Sequence, residues 1–222
     1  RFGYDGKNQY RINPGDKIDT ELTSQECILE ELVDFEAEVS LICIRSIDGH
    51  VLFYPLVENK HENSILSMSV CPSQYSELQS RAEEIGSRLL MSMNYVGVLV
   101  VEFFVTKQGK LIANEMAPRV HNSGHWTIEG ANISQFKAHI IAITGQLENP
   151  QIIDYKPTIM FNILSKFIAD DKLKILRDKY NVYIHDYLKT ERKNRKLGHI
   201  TYVCDKANNL SEDIELLSKI IQ

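Results

Sequence analysis

Val96-Gly97-Val98-Leu99-Val100-Val101-Glu102-Phe103-Phe104-Val105 is an almost unbroken apolar run. Thr106-Lys107-Gln108-Gly109-Lys110 and then Leu111-Ile112-Ala113-Asn114-Glu115 follow it. The first segment reads as a buried strand, the second as a turn and the third as the returning strand of a hairpin. Glu102 is the anomaly, because a lone carboxylate among apolar neighbours is costly to bury unpaired. With a loop over 106–109, Val105 faces Lys110, Val100 faces Glu115 and Glu102 faces Ala113. Both glutamates then project from one face as diagonal neighbours, about 7–8 Å apart at the backbone. Two carboxylates at that spacing can share a hard cation, and magnesium suits them because it takes oxygen ligands. A slip of one residue puts them on opposite faces. The alternative is that Glu102 pairs with a buried Arg or Lys.

Residues 27–33 and 38–46 read as strands, and Asp48-Gly49 as a tight turn into a strand over 50–56. Over 73–93, Tyr75, Leu78, Ala82, Ile85, Leu89 and Met93 recur at helical spacing. A helix over 134–144 is closed by Gly145, with Pro150 in the linker beyond. Short strands are expected over 158–164, 182–187 and 199–204, around a helix over 170–180. Ser211 can cap a last helix, whose first turn carries Glu212 and Asp213. Hairpins and separate helices point to the α+β class rather than a doubly wound parallel sheet.

The 222 residues are 43% hydrophobic and 25% charged, with a formal net charge of −5. That composition fits one large or two modest globular units. The acidic balance argues against a general grip on nucleic acid, which needs surplus Lys and Arg. No apolar run approaches the roughly 18–20 residues that span a bilayer. Cys27, Cys43, Cys71 and Cys204 have no paired spacing, so neither a metal knuckle nor a disulfide framework is expected, and a reducing cytoplasm is the simplest setting. The chain opens at Arg1, without methionine and within turn chemistry, as if an upstream portion were absent.

Between Ala117 and Trp126, Arg119, His121, Asn122, Ser123 and His125 crowd a stretch kept irregular by Pro118 and Gly124. Such a loop at a strand end can cradle an oxyanion, Arg through its planar fork and amide or hydroxyl groups as further donors. The bland alternative is a solvated loop pinned by Trp126. Gly3-Tyr4-Asp5-Gly6-Lys7-Asn8-Gln9 could wrap an anion with backbone N–H groups but lacks the spacing of established phosphate loops. Lys189, Arg192, Lys193, Arg195 and Lys196 could receive a phosphorylated ligand, or simply be solvated. His61 has no spacing partner for a metal. His50, His139 and His185 read as structural.

Together, Gly3–Gln9, Tyr95-Val96-Gly97-Val98 leading to Glu102, Asn114-Glu115-Met116-Ala117-Pro118-Arg119-Val120-His121-Asn122-Ser123-Gly124-His125-Trp126-Thr127 and the basic run ending at His199 resemble the 5-(carboxyamino)imidazole ribonucleotide synthases. These are ATP-grasp enzymes of purine synthesis, and the likeness extends from Arg1 to about Tyr202. The resemblance implies an ATP-grasp fold of antiparallel sheets and helices followed by a small C-terminal β-rich domain. Its division is 1–58 (part of the lid), 59–149 (core with metal and bicarbonate site) and 150–222. The reaction it implies joins bicarbonate to 5-aminoimidazole ribonucleotide at the expense of ATP, through carboxyphosphate.

By the same resemblance, Glu102 and Glu115 are magnesium ligands, and Arg119, His121, Asn122 and Asp5 serve bicarbonate chemistry. ATP would be held by Gly3, Tyr4, Asp5, Gly6, Lys7, Asn8, Gln9, Glu30, Glu31, Leu32, Val33, Glu38, His61, Asn114 and Glu115. The ribonucleotide would be held by Tyr4, Asp5, Lys189, Arg192, Arg195 and Lys196. A cytoplasmic homodimer without nucleic-acid or membrane partners is implied. Asn8 stands where the family's loop usually has a second glycine, and the family's N-terminal domain is missing, so this chain alone is expected to be inactive. The rival readings are another ATP-grasp ligase of purine synthesis and a non-catalytic nucleotide-binding module.

Overall fold

The computed structural model describes residues 10–18, 24, 26–147, 151–204 and 210–221. The expected roles of residues 3–9, and the linker at Pro150, fall outside that range. Among the described residues, nine strands form one sheet, and every pairing in it is antiparallel. They are β1 Phe35–Arg45, β2 Val51–Phe53, β3 Val57–Glu62, β4 Ile65–Cys71, β5 Gly97–Thr106, β6 Leu111–Ala117, β7 Thr158–Leu164, β8 Val182–Asp186 and β9 Lys196–Val203. Their order across the sheet is β6-β5-β1-β3-β4-β7-β9-β8, with β2 hairpinned onto β1. The C-terminal strands therefore continue the sheet through the β4–β7 pairing.

Among the described residues, five α-helices cover the two faces: α1 Gln79–Ser92, α2 Thr127–Gly130, α3 Gln135–Ile143, α4 Asp170–Lys179 and α5 Leu210–Ile221. Alternation along the central strands assigns them. Leu41, Cys43, Leu99, Val101 and Phe103 pack with Ala82 and Leu90 of α1. Ile42, Ile44, Val98 and Val100 pack with Trp126 and with Ala138 and Ala142 of α3. Gly86 lets α1 come close to the sheet, since a Cβ there would lie 2.6 Å from Cys43 Sγ. Further along the α1 face, Ile159, Phe161 and Ile163 bury Leu176 of α4 and Leu217 of α5. Ser134 caps α3 by accepting from Lys137 N–H at 3.2 Å, and Gly145 leaves it at φ +70°.

The differences from the expected elements have physical causes. Residues 27–33 form no strand: the segment is irregular and mostly exposed, with Ile28 82% and Leu29 90% exposed. The α1 helix begins only at Gln79, after a 3₁₀ turn over Ser76–Leu78. Ser211 lies within the first turn of α5 rather than capping it. The strand expected over 50–56 shrinks to Val51–Phe53, and the one expected to end near Glu115 runs on to Ala117. β3 and β4 were not expected at all, because the polar residues of Val57-Glu58-Asn59-Lys60-His61-Glu62 mask their alternation.

Candidate active site

The site grows out of polar residues on the α3 face of the sheet, beyond the apolar part of that face. Glu115, Glu102 and Ser40 sit opposite one another in one row across β6, β5 and β1. Glu38, Asn59 and Ser69 form the next row across β1, β3 and β4, and Asn162, His199 and His185 a third across β7, β9 and β8. The loop after β6 reaches these rows through His121, whose Nδ1 lies 3.6 Å from Glu102 Oε1, and through Asn122, which bonds Asn162, with Arg119 two residues before His121.

The hairpin register differs from the expected one, and the difference assembles the site. Val105 faces Leu111 and Phe103 faces Ala113, one residue away from the pairing expected for Val105. Continued unbroken, that register would place Glu102 opposite Asn114 and turn Glu115 to the other face. A bulge between Phe103 and Glu102 absorbs Asn114, so Glu102 faces Glu115 directly. One carboxylate oxygen of each, with a ring nitrogen of His121, lies within 4.8 Å of the others. Glu102 is 8% exposed, and its Oε1 has no hydrogen-bond partner. His121 Nδ1 lies 3.6 Å from that oxygen, and the charge of Lys196 also acts on the carboxylate.

Burial, then the charge of Glu115, pushes the Glu102 carboxyl up to about 7, with His61 and Lys196 opposing. Burial pulls His121 down to about 4, helped by Arg119 and Lys196, so its ring is neutral. Two carboxylates with an orphaned buried oxygen are the donor set that a hard divalent cation completes. The residues present fit magnesium.

The loop is built rather than loose. Gln135 of α3 accepts from His121 N–H at 2.9 Å and donates to His121 O at 2.6 Å. Asn122 and Asn162 exchange amide hydrogen bonds, and Asn162 also donates to Leu66 O at 2.8 Å. Trp126 is fully buried beneath. Arg119 stays exposed, donating to Val120 O at 3.0 Å and leaving the rest of its fork open.

Among the other expected residues, His61 Nδ1 lies 3.0 Å from Glu38 Oε2. Burial alone would lower His61, but Glu38 and Glu102 outweigh it and raise it. Asn114 is exposed at the bulge. Glu30, Glu31 and Leu32 are exposed and Val33 half-buried in the irregular approach to β1, outside any strand. Of the basic run, Lys196 opens β9 and its charge reaches Glu102, His61, His121 and His125. Arg195 is turned back to Thr190, and Lys189 lies 5.0 Å over the Tyr187 ring.

Several polar residues at the site lie outside the expected set. Ser40, Asn59, Ser69 and Asn162 are buried polar groups within strands, the same signal that singled out Glu102. His199 stacks on His185 at 4.3 Å, which in turn reaches Glu129 at 2.7 Å. A groove of about 460 Å³ floored by Met68, Phe161 and Ile163 lies on the opposite face of the sheet, away from these carboxylates.

Residues 1–136 match the family model of the ATP-grasp domain, and the chain belongs to the ATP-grasp family. Residues 158–213 match a second model, the phosphoribosylaminoimidazole carboxylase C-terminal domain. Within the family, the chain is similar to N5-carboxyaminoimidazole ribonucleotide synthase of Escherichia coli K12, 41% identical over 99% of this chain and 61% of that protein. It superposes with TM-score 0.84 and 33% identity on N5-carboxyaminoimidazole synthetase of Staphylococcus aureus complexed with ADP, covering 100% of this chain and 59% of that one. The N5-carboxyaminoimidazole synthase of Aspergillus clavatus, in complex with ADP and 5-aminoimidazole ribonucleotide, gives 0.77 and 30%, covering 86% of this chain and 52% of that one. The chain thus spans about six-tenths of the length of the curated relative. In the described residues no helix is long and apolar enough to cross a membrane.

Proposed function

We propose that this chain is the nucleotide- and bicarbonate-handling part of an ATP-dependent ligase that converts 5-aminoimidazole ribonucleotide to its N5-carboxyamino derivative. The observation that carries the reading is the meeting of Glu102 and Glu115 under a loop bearing Arg119, His121 and Asn122. A mere nucleotide binder has no need of such an oxyanion cradle beside its carboxylate pair. The similarity to the synthases along nearly the whole chain supports the same choice.

In this reading a bicarbonate oxygen attacks the γ-phosphorus of ATP, the bond to ADP breaks, and carboxyphosphate results. The substrate amine then captures the carbonyl carbon, directly or as released carbon dioxide; a C–N bond forms, phosphate leaves and the amine gives up a proton. Glu102 and Glu115 would hold magnesium, which would supply positive charge to screen the phosphates. Arg119 offers its open fork to the bicarbonate and to the anion that develops from it. Asn122, fixed by its amide pair with Asn162, presents a positioned polar group, and neutral His121 adds no second charge beside Arg119. Lys196, with Lys189, Arg192 and Arg195 beyond it, supplies positive potential for the ribonucleotide phosphate. Residues 3–9, including Tyr4 and Asp5, would complete the ATP and ribonucleotide contacts, with Glu30, Glu31, Leu32, Val33, Glu38, His61 and Asn114 on the nucleotide.

Phosphate release by the full-length protein tests this. It should require ATP, magnesium, bicarbonate and 5-aminoimidazole ribonucleotide together, and Glu115→Gln should abolish it. Equal turnover without bicarbonate would reassign the chain to another ligase of the family. A homodimeric, cytoplasmic protein belongs to the same proposal, and light scattering on the full-length protein tests the dimer.

A further inference from the structure

A chain of buried polar side chains runs from the sheet into the His121 loop. Ser69 Oγ lies 2.8 Å from Asn59 Oδ1, Asn59 Nδ2 lies 3.0 Å from Ser40 Oγ, and Ser40 Oγ lies 2.9 Å from Ser123 Oγ. Ser123 Oγ lies 3.0 Å from His121 Nδ1. Ser40, Ser69 and Ser123 are fully buried and Asn59 is 6% exposed, so the row is closed to exchange of partners with water.

Its direction follows from one group that can only donate. The backbone N–H of Ser123 points at His121 Nδ1, 3.4 Å away, which makes that nitrogen an acceptor. The Ser123 hydroxyl then donates to the same nitrogen. Its oxygen is left to accept from Ser40, Ser40 accepts from the Asn59 amide, and the Asn59 carbonyl accepts from Ser69. Each proton in the row has one destination. The reverse direction would set a proton on Nδ1 against the Ser123 N–H.

We propose that Ser123, held by Ser40, Asn59 and Ser69, is a positioning residue that keeps His121 in the tautomer with its proton on Nε2. Two consequences follow from the occupied Nδ1 lone pair. His121 is not a third metal ligand, although it lies within 4.8 Å of the two carboxylate oxygens. Glu102 Oε1, 3.6 Å from Nδ1, receives no proton from the ring and stays open to a cation. A third consequence rests on the reading of His121 as an oxyanion contact: the ring meets bicarbonate or carboxyphosphate as an Nε2–H donor. The tautomer is measurable whether or not that reading holds.

The test is a two-bond ¹H–¹⁵N correlation spectrum of the full-length protein, labelled with ¹⁵N-histidine and held metal-free at neutral pH. His121 is assigned by the signals lost in His121→Asn. The nitrogen coupled to both ring C–H protons should resonate as protonated, and the other as bare. A proton on Nδ1 overturns the proposal, and the wild-type spectrum decides this without any variant. In Ser123→Ala, losing one neutral hydrogen bond should move the tautomer ratio about fivefold toward Nδ1–H. An unchanged ratio would remove Ser123 from the role. Failure of the ligase reading would show instead as absent bicarbonate-dependent turnover with both spectral results intact.

Discussion

Replacing Glu102 by Gln should stabilise the metal-free protein, although it removes a charged residue from the heart of the site. The carboxyl rises from an ordinary value of 4.5 to about 7 because burial and then Glu115 disfavour its charge. At about 1.4 kcal/mol for each pH unit, ionising it in the fold costs on the order of 3 kcal/mol. A carboxyl raised in the folded state contributes stability that is whole below pH 4.5 and lost as pH climbs through 7. Wild type and Glu102→Gln should therefore match near pH 4.5 and diverge above it. By pH 8 the variant should melt roughly 6–12 °C higher, at about 2–4 °C per kcal/mol for a chain of this size. Thermal melts of both proteins in chelator across that pH range measure it, and the difference between them cancels the titrating groups that Glu102 does not act on, leaving its coupling to His61 within the measured gap. Magnesium should raise the wild-type melting temperature at pH 8 and leave the variant's unmoved. A variant that melts lower than wild type at pH 8, or a gap independent of pH, would refute the claim that burial and Glu115 outweigh His61 and Lys196 at the Glu102 carboxyl.

Other substitutions probe the surrounding frame. Gly124→Ala would thrust a Cβ to 2.5 Å from Gln135 Oε1 and 2.7 Å from Ile42 Cδ1, and urea unfolding should report a loss of about 1–3 kcal/mol. On the proposed function, Arg119→Ala in the full-length protein should lower kcat by about 10²–10³-fold while the melting temperature stays near wild type, since the side chain is exposed. His199 is pulled down to about 3, first by burial and then by His125 and His185. The stability tied to its neutral ring is present above pH 6.5 and lost as pH falls toward 3, so His199→Asn should flatten the acid side of a stability–pH curve. The 222-residue chain alone should release no phosphate above background with all substrates present, which a phosphate assay checks directly.

The parts of this molecule that could be read in advance are those where one residue type breaks an otherwise uniform pattern. Glu102 inside an apolar strand, and the density of donors between Arg119 and His125, pointed to the site from local sequence alone. The direct opposition of Glu102 and Glu115 could not be read, because it depends on a bulge at Asn114 that offsets a register shift. Neither fact leaves a mark on periodicity. β3 and β4 were missed because half of β3 faces the polar site, so its alternation is not one of apolar with polar. Residues 27–33 have the composition of a strand, but composition does not reveal whether a neighbouring strand is there to pair with, and the segment joins no ladder of the sheet. Ser40, Ser69 and Asn162 carried the same anomaly as Glu102 in weaker form, since serine and asparagine cost less to bury than a carboxylate.

Bicarbonate labelled with ¹⁸O follows the chemistry assigned to this site atom by atom. When the full-length protein turns over with ATP, magnesium and 5-aminoimidazole ribonucleotide, each phosphate released should carry one ¹⁸O taken from bicarbonate. Turnover that yields unlabelled phosphate would mean that bicarbonate is never phosphorylated beside Glu102 and Arg119.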